Sequence, residues 1–266
     1  MSIKLKLNQI PKNKMKNYAP YFEEYTYARK NIDTLKNLEF GTLWVEDVKA
    51  PELLLYQLPW VNMFAGNSEN SNVNLLFEKV PLFELIIYPD NKWKTRIHDH
   101  FKNELQEITR FTFNPASLNL DKIRGILSEL PMGLELKRID VKSARYIEDH
   151  LHRYSRFFGS PEEFVRTGIG FCVADGDKIA SQAGSFMPPT EYLEFQVNTD
   201  PVYQNRGLAT LVSAKLLEYC LVNGFIPVWD AHNDNSIRLA YSLGFSNPQK
   251  WDCFFHTGGL ERPDVI

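Results

Sequence analysis

Asp200-Pro201-Val202-Tyr203-Gln204-Asn205-Arg206-Gly207-Leu208-Ala209 joins an alternating stretch, residues 192–199, to a run in which Leu208, Val212, Leu216 and Cys220 recur every fourth residue. The first stretch reads as a strand, and the second as one face of a helix over residues 207–222 that Asn223-Gly224 ends. A helix start offers backbone N–H groups with no intrahelical partner, and the aligned peptide dipoles favour an anion there. Gly207 removes the side chain at the point of closest approach, Ala209 keeps the first turn slim and Arg206 adds positive charge. Each hydrogen bond to a charged group contributes about 1.5–3 kcal/mol, so a few such N–H groups would dominate affinity for a pyrophosphate-bearing ligand. The patterns GxGxxG and GxxxxGK[ST] are absent, which removes two other phosphate cradles.

The flanks of this segment organise the rest of the second half. Residues 134–139 alternate as a strand, Asp140 caps a following helix, and Ser160-Pro161-Glu162-Glu163 opens another. Residues 169–174 and 179–186 form a hairpin around Asp175-Gly176-Asp177. Beyond the long helix come a short strand at 226–229, a helix at 235–243 and a closing strand at 251–256. Strand, two helices, three strands, helix, strand, helix, strand is an α+β order with a mixed sheet.

The first half reads differently. Strands are expected at 41–45, 72–77 and 83–88, and a helix over 93–110 carries Ile97, Phe101, Leu105 and Ile108 on one face. Asn114-Pro115 and Pro131-Met132-Gly133 bracket a short helix at 118–130 and mark a boundary. Two domains are expected, 1–130 and 131–266.

Composition narrows the function classes. The 266 residues carry a net charge of −3, which argues against a nucleic-acid partner, since phosphate neutralisation needs a basic excess. No run approaches the roughly 18–20 apolar residues that span a bilayer, and the basic start MSIKLKLNQIPKNKMKNY has no apolar core of signal length. Cys172, Cys220 and Cys253 are widely spaced, as expected of buried thiols in a reducing cytoplasm. His98 and His100, like His150 and His152, stand two apart and do not share a helix face, so no metal site is expected.

Gln204 to Ala209 fits [QR]-x-x-G-x-[GA], the signature of the GNAT acetyltransferase superfamily, and VWDAHNDNSIRLAYSLGF resembles that family's later segment. The chain resembles the family from about Leu134 to His256. The segment Trp229-Asp230-Ala231-His232-Asn233-Asp234-Asn235-Ser236 and the extra amino-terminal region resemble the branch that includes the zwittermicin A self-resistance acetyltransferase. The resemblance implies a mixed, mostly antiparallel sheet flanked by helices, acetyl-coenzyme A as co-substrate and a small amine, antibiotic or metabolite, as acceptor. It implies that Gln204, Asn205, Arg206, Gly207, Leu208 and Ala209 wrap the pyrophosphate. Val197, Asn198 and Thr199 would meet the pantetheine arm and thioester, and Asn235 and Ser236 the coenzyme or, equally, the cap of their own helix.

An alkyl amine near pKa 10.4 is about one part in a thousand neutral at pH 7, so transfer needs a proton acceptor. Glu194, just upstream of the thioester position, is the candidate base, with Glu191 and Asp230 weaker ones. The resemblance also implies a Tyr as general acid four residues before the Gly of the late helix. Ala240 stands there, and Tyr241 is turned about 100° away. That departure favours an alternative, a non-catalytic acyl-coenzyme A sensor. Finally, 84–88 followed by the helix from Trp93 echoes 194–198 followed by the helix from Gly207, without the glycine. The amino-terminal α/β domain is therefore read as a degenerate copy of the same fold.

Overall fold

The computed structural model describes residues 6–260, so the first five residues of the basic amino-terminal stretch lie outside it. The chain divides into two compact units, one made of 1–110 and 251–266 and the other of 111–250.

In the first unit, strands β1 (Asn8–Gln9), β2 (Thr42–Val45), β3 (Leu53–Leu58), β4 (Val61–Gly66) and β5 (Leu85–Ile87) lie side by side in that order. Each neighbour is antiparallel except β4 and β5, which run parallel over Val61–Met63 and Leu85–Ile87. Helix α1 (Arg29–Asn37) precedes β2, and the one-turn α2 (Asn74–Phe77) makes the crossover from β4 to β5. Helix α3 (Asn91–Phe101), capped by Asp90 on the Trp93 N–H, leads into β6 (Leu105–Asn114). Residues 254 and 255 pair antiparallel with Ile86 and Leu85, which is why the chain's end returns to this unit. Leu53, Leu55, Phe64, Phe77, Ile86, Trp93 and Phe254 pack in one core.

The second unit starts with α4 (Leu120–Leu127), capped by Asn119, then β7 (Glu135–Arg138) and α5 (Val141–His150), capped by Asp140. Helices α6 (Ser155–Phe158) and α7 (Pro161–Thr167) follow, the latter capped by Ser160 with Pro161 in its first turn. Strands β8 (Gly170–Asp175), β9 (Lys178–Ser185) and β10 (Tyr192–Thr199) form an antiparallel meander beside β7. Helix α8 (Leu208–Asn223) crosses over to β11 (Ile226–Val228), which is parallel to β10. Then come β12 (Asp230–Ala231), paired to Thr112 and Phe111, helix α9 (Asp234–Leu243), and β13 (Ser246–His256).

Helix α8 is buried on more than one side, as an apolar helix inside a domain must be. Leu208, Val212, Leu216 and Cys220 face the sheet with Val173, Ala183 and Leu193, while Ala214 and Leu217 join Ile123, Trp229, Ala240 and Leu243. Gly224 ends it in the left-handed conformation at φ +76°.

This α+β architecture is the expected one; helix α1 and strands β3 and β4 were not anticipated, and three anticipated features differ. Residues 74–77 are a helical turn where a strand was expected, because buried Leu76 and Phe77 need one short crossover face. The expected helix over 93–110 stops at Phe101, where Lys102 adopts φ +52°, and 105–114 is a strand. The compact units divide at 110/111, where 130/131 was expected, because Phe113 and Ile123 pack into the second unit's core and Phe254 and Phe255 pair in the first.

Candidate active site

The site grows from one feature of β10. Parallel pairing with β11 covers only Tyr192 to Glu194, while antiparallel pairing with β9 covers Phe195 to Thr199. The two strands therefore diverge beyond Glu194. Backbone groups alternate in direction along a strand. Phe186 N–H donates to Glu194 O at 2.8 Å and Asp200 N–H to Ala180 O at 3.0 Å, so even positions bond to β9. Ile226 N–H donates to Glu191 O at 2.9 Å, so odd positions face β11. Phe195, Val197 and Thr199 thus turn their N–H and C=O groups into the opening. Among the described residues, no side chain bonds to these groups, and Val197 and Thr199 lie in the last three residues of β10. Asn198 differs: its backbone bonds to β9, and its side chain lies on the sheet face away from α8.

Beyond β10, Asp200 caps a short turn through its bond from the Val202 N–H at 2.9 Å. The Tyr203 hydroxyl donates to Asp175 at 2.7 Å, and the Arg206 guanidinium lies 5.3 Å from the Tyr203 ring. That contact holds the cation beside the helix start. Asn205 at φ +61° and Gly207 at φ +74° are both left-handed, which Gly adopts freely and Asn better than most residues. A Cβ on Gly207 would meet nothing within 4 Å, so the glycine opens onto free space. Leu208 is buried and anchors the turn, while Gln204, Asn205, Arg206 and Gly207 are exposed. Helices α3, α4, α5, α7 and α9 each carry a side-chain cap, whereas α8, like α1, α2 and α6, carries none. Its first N–H groups line a cleft of about 320 Å³ formed with Ile126, Glu129, Pro131, Thr210 and Ser242.

Glu194 sits where β10 leaves β11, on the face opposite buried Leu193. Asn235 and Ser236 are arranged otherwise than expected. The cap of α9 is Asn233, whose side chain accepts the Ser236 N–H at 2.9 Å. Ser236 Oγ accepts from the Trp229 indole at 3.2 Å, and Asn235 accepts from Arg238. Ala240 is fully buried in the core, and exposed Tyr241 lies edge-on to Phe113 with centroids 5.3 Å apart.

Burial pushes the Cys172 thiol up to about 11 and the Cys220 thiol up to about 12, which disfavours the thiolate at both. Burial lowers His152 to about 4, leaving it neutral. Two parts of the site were not foreseen. The cleft wall from α4 gave no sequence signal. Neither did a path of hydrogen bonds from Tyr154 to Asn198, whose members meet only through the register of β9 and β10.

A GNAT acetyltransferase family profile matches residues 24–254. The Bacillus subtilis (strain 168) protein YdfB, described as an uncharacterized N-acetyltransferase, is 28% identical over 166 residues, 61% of this chain. The match spans 62% of that relative's length. A GCN5-related N-acetyltransferase-like protein from Streptococcus suis 89/1591 superposes with a TM-score of 0.78 at 22% identity, over 92% of this chain and 99% of that one. A tandem GNAT protein from the clavulanic acid biosynthesis pathway reaches 0.61 at 10% identity, over 94% and 98%. A GCN5-related N-acetyltransferase from Kribbella flavida reaches 0.58 at 13%, over 86% and 95%. At these identities the structures speak for the fold.

Proposed function

The chain belongs to the GNAT acetyltransferase family, and from that premise we propose that it transfers an acetyl group from acetyl-coenzyme A to the amine of a small molecule. The observation that carries this is the uncapped start of α8 beyond the open half of β10. Peptide N–H groups from Gly207 onward and Arg206 receive the pyrophosphate, with Gln204 and Asn205 shaping the turn. Val197 and Thr199 pair with the pantetheine amides as an added strand would. An N–H in this stretch faces the thioester oxygen and stabilises the charge that develops on it.

Glu194 takes a proton from the ammonium, directly or through water. The neutral amine attacks the thioester carbon and the C–N bond forms; the C–S bond then breaks, the thiolate leaves, and the nitrogen gives up its second proton, through water, to that thiolate. A thiol near pKa 8.5 makes that departure feasible without the Tyr that Ala240 replaces. The acceptor class, an antibiotic or metabolite amine as in the zwittermicin A resistance branch, belongs to this proposal. So does a cytoplasmic setting; among the described residues no helix is long and apolar enough to cross a membrane.

The first unit, on this reading, is a copy of the same fold that lost its coenzyme site. The Tyr25 hydroxyl donates to Phe64 O at 2.5 Å and Ile87 O at 3.1 Å, and the Trp93 indole to Gly66 O at 2.8 Å. These side chains fill the place where β4 and β5 part. The counterpart of β10 is thus β4, and the echo of 194–198 in 84–88 is displaced by one strand.

Calorimetric titration with acetyl-coenzyme A, then thiol release across an amine panel, tests the function. Binding and release are expected. Binding without release on any amine would favour the sensor, the reading that buried Ala240 supports. No binding would refute both.

A further inference from the structure

Four polar side chains of the second unit form a connected path outside the chemistry described so far. The Tyr154 hydroxyl donates to Gln182 Oε1 at 3.0 Å, and Gln182 Nε2 donates to Asn198 Oδ1 at 2.9 Å. Gln196 Nε2 donates to the same Oδ1 at 3.1 Å. Tyr154 and Gln182 are completely buried. A buried hydroxyl or amide is costly unless each finds a partner, and a satisfied network holds one geometry.

What this network fixes is the amide of Asn198. Its oxygen accepts twice from within the sheet, so Nδ2 and its two hydrogens stand at the other end. Among the described residues, nothing accepts from that nitrogen. Asn198 is half-buried, and alternation places it on the same face of β10 as Gln196 and Glu194. Half-buried Phe186, tilted against Phe157 with centroids 4.4 Å apart, adds an apolar surface to this face.

Resting on the transferase reading, we propose that this face is the acceptor subsite, and that Asn198 selects amines carrying a carbonyl or hydroxyl oxygen. Two oriented donors favour a ligand oxygen and discriminate against a methylene, which would leave Nδ2 desolvated and unpaired. Glu194, about 13 Å along the strand, attracts the cationic amine end. Asn198 is then a specificity-determining residue, and Gln182 and Tyr154 are positioning residues that act through it.

The test compares primary amines that differ in one atom and are long enough to reach both groups, 5-amino-1-pentanol against hexylamine and 6-methoxyhexylamine against octylamine, in the thiol-release assay with acetyl-coenzyme A. The oxygen-bearing member of each pair is expected to have a kcat/KM about tenfold higher. Asn198→Asp still accepts from Gln182 and Gln196, so the fold survives, but its outward atom can no longer donate. The preference should disappear in that variant. Tyr154→Phe loosens the amide without touching the acceptor, so KM for the oxygen-bearing amines should rise about threefold, with kcat and the alkyl amines unchanged.

Equal kcat/KM values within the wild-type pairs, or a preference that survives Asn198→Asp, would overturn the proposal while leaving the transferase reading intact. A wild type that binds acetyl-coenzyme A but releases no thiol with the oxygen-bearing amines would also overturn it. Titration and release across the wider amine panel separate the two failures, because loss of the transferase reading shows as no coenzyme binding or as binding with no release on any amine at all.

Discussion

In the first unit β4 is antiparallel to β3 and parallel to β5, and in the second β10 stands in the same relation to β9 and β11. In both, parallel pairing lasts three residues before the strands part. The first opening is closed by the chain itself, with Tyr25 on the Phe64 and Ile87 carbonyls and Trp93 on Gly66. The second leaves the backbone groups of Phe195, Val197 and Thr199 turned toward the opening, and a sixteen-residue helix begins beyond it at Gly207. The crossover in the first unit is a single turn, Asn74–Phe77. One arrangement of strands thus yields a sealed core or a ligand cleft, and a few side chains decide which.

The strongest way to break this contrast is Gly207→Glu. Its side chain enters the open space and sets a carboxylate against the pyrophosphate, so the Kd for acetyl-coenzyme A should rise more than about a hundredfold by calorimetry. Stability should fall by only about 1–2 kcal/mol in urea, the cost of a left-handed residue. A variant that still binds would remove the helix start from the site.

Val197→Pro is next. Its N–H faces the opening, so proline deletes a donor toward the ligand and leaves the ladder to β9 intact. Thiol release should slow about a hundredfold if that N–H meets the thioester oxygen. An unchanged kcat would return the role to another group.

Tyr25→Phe sharpens the comparison from the sealed side. Two buried carbonyls lose their donor, which should cost about 2 kcal/mol in urea unfolding, with acetyl-coenzyme A affinity unchanged. A matching change in affinity would contradict the division of labour.

The smallest effect is in pH dependence. His152 titrates at about 4 in the folded chain against an ordinary 6.5, because burial disfavours its charged form. A lowered folded value means that the unfolded chain binds more protons between these pH values. This stabilisation is complete above 6.5 and lost as pH falls toward 4. His152→Phe should flatten that slope in thermal melts over the same window.

Much of the second unit was legible because its signals are local. Caps at Asp140 and Ser160, the Asp175-Gly176-Asp177 turn and the fourfold apolar repeat of α8 each act over a few residues. The strand register was not local, and it decides which backbone groups of Val197 and Thr199 are open and which way Asn198 points. In the first unit, Leu105 and Ile108 fit a helix as well as a strand, since apolar spacing alone does not separate short runs. The left-handed Lys102 breaks that ambiguity, and no pattern announced it. Tyr25 offered only an aromatic letter, because its two acceptors lie 39 and 62 residues away.

The unpaired stretch of β10 is, in effect, an edge strand held inside a domain. A guest that pairs with it adds its binding energy to folding by mass action, about 2.7 kcal/mol at a ligand concentration one hundred times Kd. The melting temperature of the second unit would then follow the coenzyme concentration around it, whereas the first unit carries its plug covalently and would melt at the same temperature whatever the supply.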